Sequence, residues 1–124
     1  VVQHKMQAEQ FYIPEDTSKA LVEAKRNTQK IIGIGSTTTR VLESIDLSNM
    51  KMGGESGWTD RFIYPGQKFK VVDHMLTNFH LPKSTLYLLV CTFAGKSLIE
   101  KAYEEAMKQN YRFFSYGDAM LITR

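Results

Sequence analysis

The segment VVDHMLTNFHLPKST, residues 71–85, holds the side chains of this sequence whose types and spacing could do chemistry. Its first half alternates as a β-strand does, and Pro82 ends that pattern. In an extended strand Asn78 and His80 lie on one face at the carboxyl end, whereas Asp73 points to the other face. Because ligands of open α/β sheets bind beyond the carboxyl ends of the strands, these groups predict a polar site with a proton-handling imidazole. The alternative is a structural histidine.

A second candidate is the segment GIGSTTTR, residues 33–40, which stands between a predicted strand and a predicted helix. Backbone N–H groups at the start of a helix, together with the hydroxyls of Ser36, Thr37 and Thr38, favour an anion site, and Arg40 follows them. The alternative is a helix cap and a tight turn. The segment does not match the dinucleotide fingerprint, because the third glycine of that pattern would fall at Thr38.

The third candidate, YRFFSYGDAM at residues 111–120, combines Arg112, Ser115 and Asp118 with four aromatic residues. Aromatic rings beside a basic residue can stack on nucleobases, but an aromatic cluster near a turn is more often part of a core. No metal site is expected, since the three histidines and the single cysteine, Cys91, form no CxxC or HxxxH pair.

Length and composition are those of an ordinary globular domain, with 124 residues of which 43% are hydrophobic and 23% charged. The single cysteine lies in an apolar run, which argues against a disulfide framework and for a reducing compartment. The sequence has no run of about 18 apolar residues, so we expect no membrane span and a cytoplasmic protein. The net charge of +3 arises in residues 63–124. This excess is compatible with a polyanionic partner and equally with an ordinary solvated surface.

The elements that must position these residues follow from periodicity and from turn-forming residues. The predicted order is a strand at 9–13, a helix capped by Asp16, a strand at 31–35, a helix at about 37–45, a loop at 46–60, two strands around Pro65-Gly66, an apolar helix at 85–94, a helix with a Ser97–Glu100 capping box, and a final strand after Gly117-Asp118. Alternating strands and helices are typical of βαβ units. We therefore predict one α/β domain over residues 1–124, with a mostly parallel sheet flanked by helices.

Several segments closely resemble a known family. KVVDHMLTNFHLPKSTL, FAG and YRFFSYGDAMLI are similar to the carboxyl-terminal portion of the S-adenosylmethionine:tRNA ribosyltransferase-isomerase family of queuosine biosynthesis. GIGSTTTRVLES resembles that family's GTTSVRTLES, and SGWTDRFIYPGQKFKVVD resembles the strands that follow it. HKMQAE resembles the family's HxMHSE, except that Gln7 and Ala8 replace the second histidine and the serine. The resemblance runs from about His4 to the end of the chain.

Members of that family are much longer and contain an inserted β-barrel domain. The resemblance therefore implies that residues 1–124 are the carboxyl-terminal part of the family's larger α/β domain, without the barrel. As an isolated fragment it is expected to be inactive. It is also expected to self-associate, with the apolar helix at 85–94 and unpaired sheet edges as the interface.

The resemblance implies an enzyme that transfers the ribosyl group of S-adenosylmethionine to the 7-aminomethyl-7-deazaguanine base at the wobble position of tRNA and isomerises it. The products are epoxyqueuosine, adenine and methionine. S-adenosylmethionine is then a substrate, no separate cofactor is expected, and the other partner is the tRNA that carries this base. Two alternatives are a non-catalytic tRNA-binding module and a methyltransferase-like S-adenosylmethionine-binding domain. The missing glycine fingerprint argues against the second.

This chemistry calls for a base next to the sulfonium, a donor to the departing adenine and a carboxylate for the aminomethyl group. We predict His80 as the acid or base and Asp73 or Asp118 as the partner of the amine. Arg40 and Arg112 are candidates for binding an anion, either the methionine carboxylate or a tRNA phosphate. The predicted substrate-binding residues are Ser36, Thr37, Thr38, Arg40, Asn78, Lys83, Ser84, Arg112 and Ser115.

Overall fold

The computed structural model describes residues 8–47, 55–59, 68–82, 84–114 and 116–124. These residues form five strands and four helices. In chain order they are β1 (Glu9–Ile13), α1 (Glu15–Arg26), β2 (Ile32–Ile34), α2 (Ser36–Ser44), β3 (Glu55–Thr59), β4 (His74–Asn78), α3 (Thr85–Ala94), α4 (Lys96–Lys108) and β5 (Ala119–Ile122). Of the two strands predicted around Pro65-Gly66, the first lies outside the described residues. The second, predicted over 69–80, is described and is shorter than predicted, since only β4 (His74–Asn78) is a strand.

The central sheet has three strands in the order β2-β4-β5. Strands β2 and β4 run parallel, with Gly33 opposite Met75, whereas β4 and β5 run antiparallel, with Thr77 opposite Met120. Strand β1 does not join this sheet, because it pairs antiparallel with β3 in a separate two-stranded sheet. The fold is therefore α/β as predicted, but only one of the three strand pairings in the described chain is parallel, so a mostly parallel sheet is not found there.

Strand β3 lies inside the segment that was predicted as a loop, and that prediction is wrong for residues 55–59. Its sequence, ESGWT, lacks the apolar alternation that marks a strand, and it is a strand because β1 offers a complete set of backbone partners. The ring of Phe11 lies over Gly57, where an added Cβ would stand 3.3 Å from the ring carbons. The aromatic ring thus covers the backbone that glycine leaves bare.

One face of the central sheet packs against the helices, and the other face is open. Residues that point to the helices are buried, including Met75 and Ile122, and they join one core cluster with Leu42 of α2, Leu89 of α3 and Ile99 of α4. Strand residues alternate between faces, so the neighbours of these residues point away from the helices. On that side Ile34 is 67% exposed and Leu121 is 58% exposed.

Helix α3 is apolar along its whole length and is covered rather than exposed. Val90 and Phe93 are buried, and every other residue of the helix is at least partly covered. Phe69 packs edge-on against Phe93, with the ring centroids 4.8 Å apart. None of the residues of this helix is exposed, whereas the open face of the sheet exposes Ile34 and Leu121; self-association stays a prediction.

Two predicted helix caps are wrong. Helix α1 begins directly after Pro14, so Asp16 lies within the first turn. There its negative charge interacts favourably with the helix dipole, but its side chain does not cap the helix. Helix α4 begins at Lys96 with Gly95 as its cap residue, and this places Ser97 two positions too far along for a capping box. Across the described residues, none of the helices is long and apolar enough to cross a bilayer.

Candidate functional site

His80 lies two residues beyond the end of β4, at the carboxyl edge of the central sheet. Its Nε2 atom is 2.8 Å from the hydroxyl oxygen of Thr77, and its backbone N–H donates a hydrogen bond of 2.7 Å to the hydroxyl of Tyr103. The imidazole is half-buried, and burial lowers the pKa of His80 because the charged ring would lose solvation. The ring is therefore neutral at physiological pH.

The aromatic residues of the third segment hold the His80 backbone in place. The side chain of Phe79 is 3% exposed and packs against the rings of Tyr103 and Phe113, at centroid distances of 5.2 and 4.9 Å. The backbone N–H of Phe114 donates to the carbonyl of Phe79. Phe113 thus belongs to the core and anchors the neighbour of His80, whereas the other three aromatic residues of that segment, Tyr111, Phe114 and Tyr116, are exposed.

Asn78, Arg112 and Asp118 meet at the same edge. The side-chain amide of Asn78 donates to the backbone carbonyl of Asp118 at 3.1 Å. The Asp118 carboxylate accepts hydrogen bonds from the backbone N–H of Arg112 at 2.5 Å and from its guanidinium at 3.3 and 3.4 Å. The guanidinium and backbone hydrogen bonds from Arg112 hold the pKa of Asp118 below its usual value. Arg112 and Asp118 therefore form an exposed ion pair next to Asn78.

Asp73 lies at the opposite end of β4. Its carboxylate accepts a hydrogen bond of 2.8 Å from the backbone N–H of Ile31 and stands 3.7 Å from the ammonium of Lys25. Burial raises the pKa of Asp73, but the hydrogen bond and the positive charge outweigh burial, so the pKa is below its usual value. The two ends of a five-residue strand are about 13 Å apart. The structure therefore does not bring Asp73 together with His80, and Asp73 joins α1 to β2 instead.

The turn between β2 and α2 lies at the same edge as His80, because parallel strands end on the same side of a sheet. The backbone N–H of Gly35 donates to the carbonyl of Leu76 in β4 at 2.8 Å. Gly35 has a φ of 95°, which is a conformation that favours glycine. At Gly33 an added Cβ would stand 2.7 Å from the hydroxyl of Thr39, so only glycine fits there. The close approach of β2 to α2 explains Gly33, and the positive φ of the turn explains Gly35.

The first backbone N–H groups of α2 belong to Ser36, Thr37 and Thr38, and such groups have no acceptor within their own helix. Thr37 and Thr38 are exposed and Ser36 is partly exposed. The hydroxyl of Thr39, by contrast, is buried and donates to the carbonyl of Gly35 at 3.0 Å. The beginning of α2 thus presents N–H donors and hydroxyls next to the end of β4.

Arg40 of α2 contacts the small sheet. It is 4% exposed, and its guanidinium pairs with the carboxylate of Glu9 in β1 at 2.8 Å. This ion pair links α2 to the small sheet, so the prediction that Arg40 binds a substrate anion finds no support in its placement. The partner is 31 positions away in the sequence, and no local pattern indicates it.

Ser84 is occupied as a helix cap. Its hydroxyl donates to the carbonyl of Leu81 at 2.6 Å and accepts from the backbone N–H of Tyr87 at 3.1 Å. Lys83 and Ser115, which were also predicted to bind substrate, lie outside the described residues. The residues that the structure brings together are therefore Ser36, Thr37, Thr38, Asn78, His80, Arg112 and Asp118.

One important residue, Glu43, was missed by sequence reasoning. One oxygen of its carboxylate accepts from the backbone N–H of Lys70 at 2.7 Å, and the other accepts from Val71 at 2.8 Å and Val72 at 2.7 Å. These bonds fix the chain that leads into β4. A glutamate near the end of a helix gives no sign of this role in sequence.

Within the described part of the chain, no group of three or more histidine, cysteine, aspartate or glutamate side chains is arranged to hold a metal ion. The fold and the site together define an α/β domain whose sheet edge combines a helix amino terminus, a neutral histidine, an amide and an ion pair. Within this arrangement, the amino terminus of α2 favours an anionic group.

Comparison with known proteins identifies the family. The model of the queuosine biosynthesis protein family matches residues 1–122. A protein of Natranaerobius thermophilus named S-adenosylmethionine:tRNA ribosyltransferase-isomerase is 52% identical over 122 residues, which are 98% of this chain and 36% of that protein. A protein of the same name from Halothermothrix orenii is 51% identical with the same coverage. The crystal structure of the S-adenosylmethionine tRNA ribosyltransferase from Thermotoga maritima superposes with a TM-score of 0.83 at 48% identity, over 91% of this chain and 40% of that one.

The chain belongs to the queuosine biosynthesis protein family. It spans about a third of the length of the curated relatives that it matches. The resemblance inferred from the sequence motifs is confirmed.

Proposed function

We propose that the polypeptide in which these residues are joined to the remainder of a family member is an S-adenosylmethionine:tRNA ribosyltransferase-isomerase. It transfers the ribosyl group of S-adenosylmethionine to 7-aminomethyl-7-deazaguanine at the tRNA wobble position and rearranges it, giving epoxyqueuosine, adenine and methionine. S-adenosylmethionine is consumed as a substrate, and the reaction takes place in the cytoplasm. The observation that carries this proposal is the match of the family over nearly the whole chain, at about half sequence identity with relatives of that name.

The beginning of α2 is the proposed site for the carboxylate of the methionine moiety. Its first N–H groups lack helix acceptors, Thr37 and Thr38 are exposed, and the helix dipole favours a negative charge there. This assignment uses Ser36, Thr37 and Thr38 and does not need Arg40, which is paired with Glu9.

His80 and Asn78 are the groups proposed to face the reacting part of the substrate. Adenine is a poor leaving anion, so a hydrogen-bond or proton donor to its ring lowers the barrier to its departure. His80 is neutral at physiological pH because burial lowers its pKa. A neutral imidazole carries one N–H donor and one acceptor and can serve on either side of a proton transfer.

Asp118 is the proposed partner of the aminomethyl group, in preference to Asp73 at the far end of β4. Its present partner, Arg112, is exposed, and an exposed ion pair contributes little stability. An incoming ammonium can therefore take the place of the guanidinium at small cost. Arg112 would then be released toward a phosphate of the tRNA.

Adenine release by the full-length protein tests the proposed function. With S-adenosylmethionine and tRNA carrying the aminomethyl base, we expect one adenine to form for each aminomethyl base that is converted to the modified base. S-adenosylhomocysteine as the product would indicate a methyltransferase, and tRNA binding without any product would indicate a binding module. Either result would contradict the proposal.

A further inference from the structure

The hydroxyl of Thr77 has a single hydrogen-bond partner among the described residues, the Nε2 atom of His80 at 2.8 Å. Thr77 lies in β4 on the face that packs against the helices and is 4% exposed. Water is therefore not available to this hydroxyl. A hydroxyl group carries one proton to donate, and a buried donor left without an acceptor is costly.

The direction of this hydrogen bond determines the tautomer of His80. If Nε2 carried the proton and donated to Thr77, the hydroxyl proton of Thr77 would have no acceptor in the described surroundings. If Thr77 donates to Nε2, its proton is satisfied and Nε2 serves as the acceptor. A neutral imidazole has only one N–H, so the proton of His80 then resides on Nδ1.

The other contacts of His80 leave Nδ1 open. Its backbone N–H is held by the hydroxyl of Tyr103 at 2.7 Å, which fixes the main chain without using the ring. No hydrogen bond to Nδ1 is formed by any residue that the structure describes, and the side chain is only half-buried. The ring is thus anchored at Nε2 and presents its remaining N–H to a ligand.

We propose that Thr77 is a positioning residue that locks His80 in the Nδ1–H tautomer, so that His80 acts on the substrate as a hydrogen-bond donor and not as a base. This inference deepens the proposed function and rests on it. The lone pair that a base requires is already engaged by Thr77. The ligand atom opposite Nδ1 must then be an acceptor, such as a ring nitrogen of a purine that gains electron density as it departs.

Imidazole ¹⁵N chemical shifts of the full-length protein test the assignment, because the two ring nitrogens differ in shift according to which one carries the proton. The spectrum is recorded at a pH where the ring is neutral. We expect the Nδ1–H form for His80 in the unmodified protein and in Thr77→Ser, which keeps the hydroxyl. In Thr77→Val, which keeps the shape without the hydroxyl, we expect the tautomer ratio to move about two- to tenfold toward Nε2–H.

Turnover in the same variants links the tautomer to function. Thr77→Val should lower kcat by about the same factor while leaving KM for S-adenosylmethionine unchanged, and Thr77→Ser should restore most of the lost rate. An Nε2–H tautomer in the unmodified protein overturns the inference whether or not the valine variant folds. An unchanged tautomer in Thr77→Val also overturns it. If Nδ1–H is found but His80→Ala releases adenine at the normal rate, the tautomer assignment holds and the proposed role of His80 fails.

Discussion

Replacement of Glu43 should destabilise the protein much more than replacement of a typical surface glutamate. In Glu43→Ala three backbone N–H groups lose their acceptor. The N–H of Lys70 can return to water, but Val71 and Val72 are 4% and 1% exposed and their N–H groups cannot. An unsatisfied buried N–H costs about 1–3 kcal/mol, so two of them cost roughly 2–6 kcal/mol of unfolding free energy. We expect about 3 kcal/mol.

Glu43→Gln should cost less, about 1–2 kcal/mol, because the amide keeps one oxygen for Val71 and Val72 but loses the charge and one bond. The matched control is Glu15→Ala, which removes an exposed ion pair with Lys19 and should cost under about 0.5 kcal/mol. Urea unfolding of each variant measures these costs as a shift in the midpoint urea concentration, provided that the dependence of unfolding free energy on urea keeps the same slope. If Glu43→Ala costs no more than Glu15→Ala, the carboxylate does not hold the chain before β4, and the reasoning is refuted.

Three further predictions concern the β2–α2 turn and the chain as a whole. Gly33→Ala should destabilise the protein by about 1–3 kcal/mol in thermal or urea unfolding, because the added Cβ meets the hydroxyl of Thr39 and the side chain of Val72; an unaffected midpoint would contradict this. In crystals grown with sulfate, an anion should bind the first N–H groups of α2 with Thr37 or Thr38 as a side-chain ligand, and a well-ordered turn without one would count against the site. The 124 residues alone should release no adenine in the assay described above, and clear release would show that they suffice.

Features with strong local signals were predicted well from sequence. Strand β1 and helix α3 were predicted with the bounds that the structure shows, because Pro14 and Gly95 mark their ends and their apolar content is high. The position of His80 at the sheet edge could also be predicted from the sequence. Pro82 ends the extended segment, and the carboxyl ends of strands next to a parallel pair are a general location for ligands.

Features that depend on distant partners were not predicted. Strand β3 has little strand character of its own and is defined by β1, more than 40 positions earlier. Sequence suggests Arg40 as an anion ligand and Asp73 as a catalytic carboxylate, but the structure pairs Arg40 with Glu9 and bonds Asp73 to the N–H of Ile31. Sequence shows which groups are available for a site, whereas tertiary contacts decide which of them remain available for a substrate.

The most direct test of the proposed site compares two histidine variants of the full-length protein in the adenine-release assay. His80→Ala should lower kcat by about a hundredfold to ten-thousandfold, the usual effect of losing a group that handles a proton or its hydrogen bond in the transition state, with folding and S-adenosylmethionine affinity nearly unchanged. His74→Ala is the control, because His74 begins β4 at the far end and accepts a hydrogen bond of 3.1 Å from the backbone N–H of Arg124; it should keep near-normal turnover. Near-normal turnover of His80→Ala, or its unfolding, would show that His80 is structural and that the site lies elsewhere.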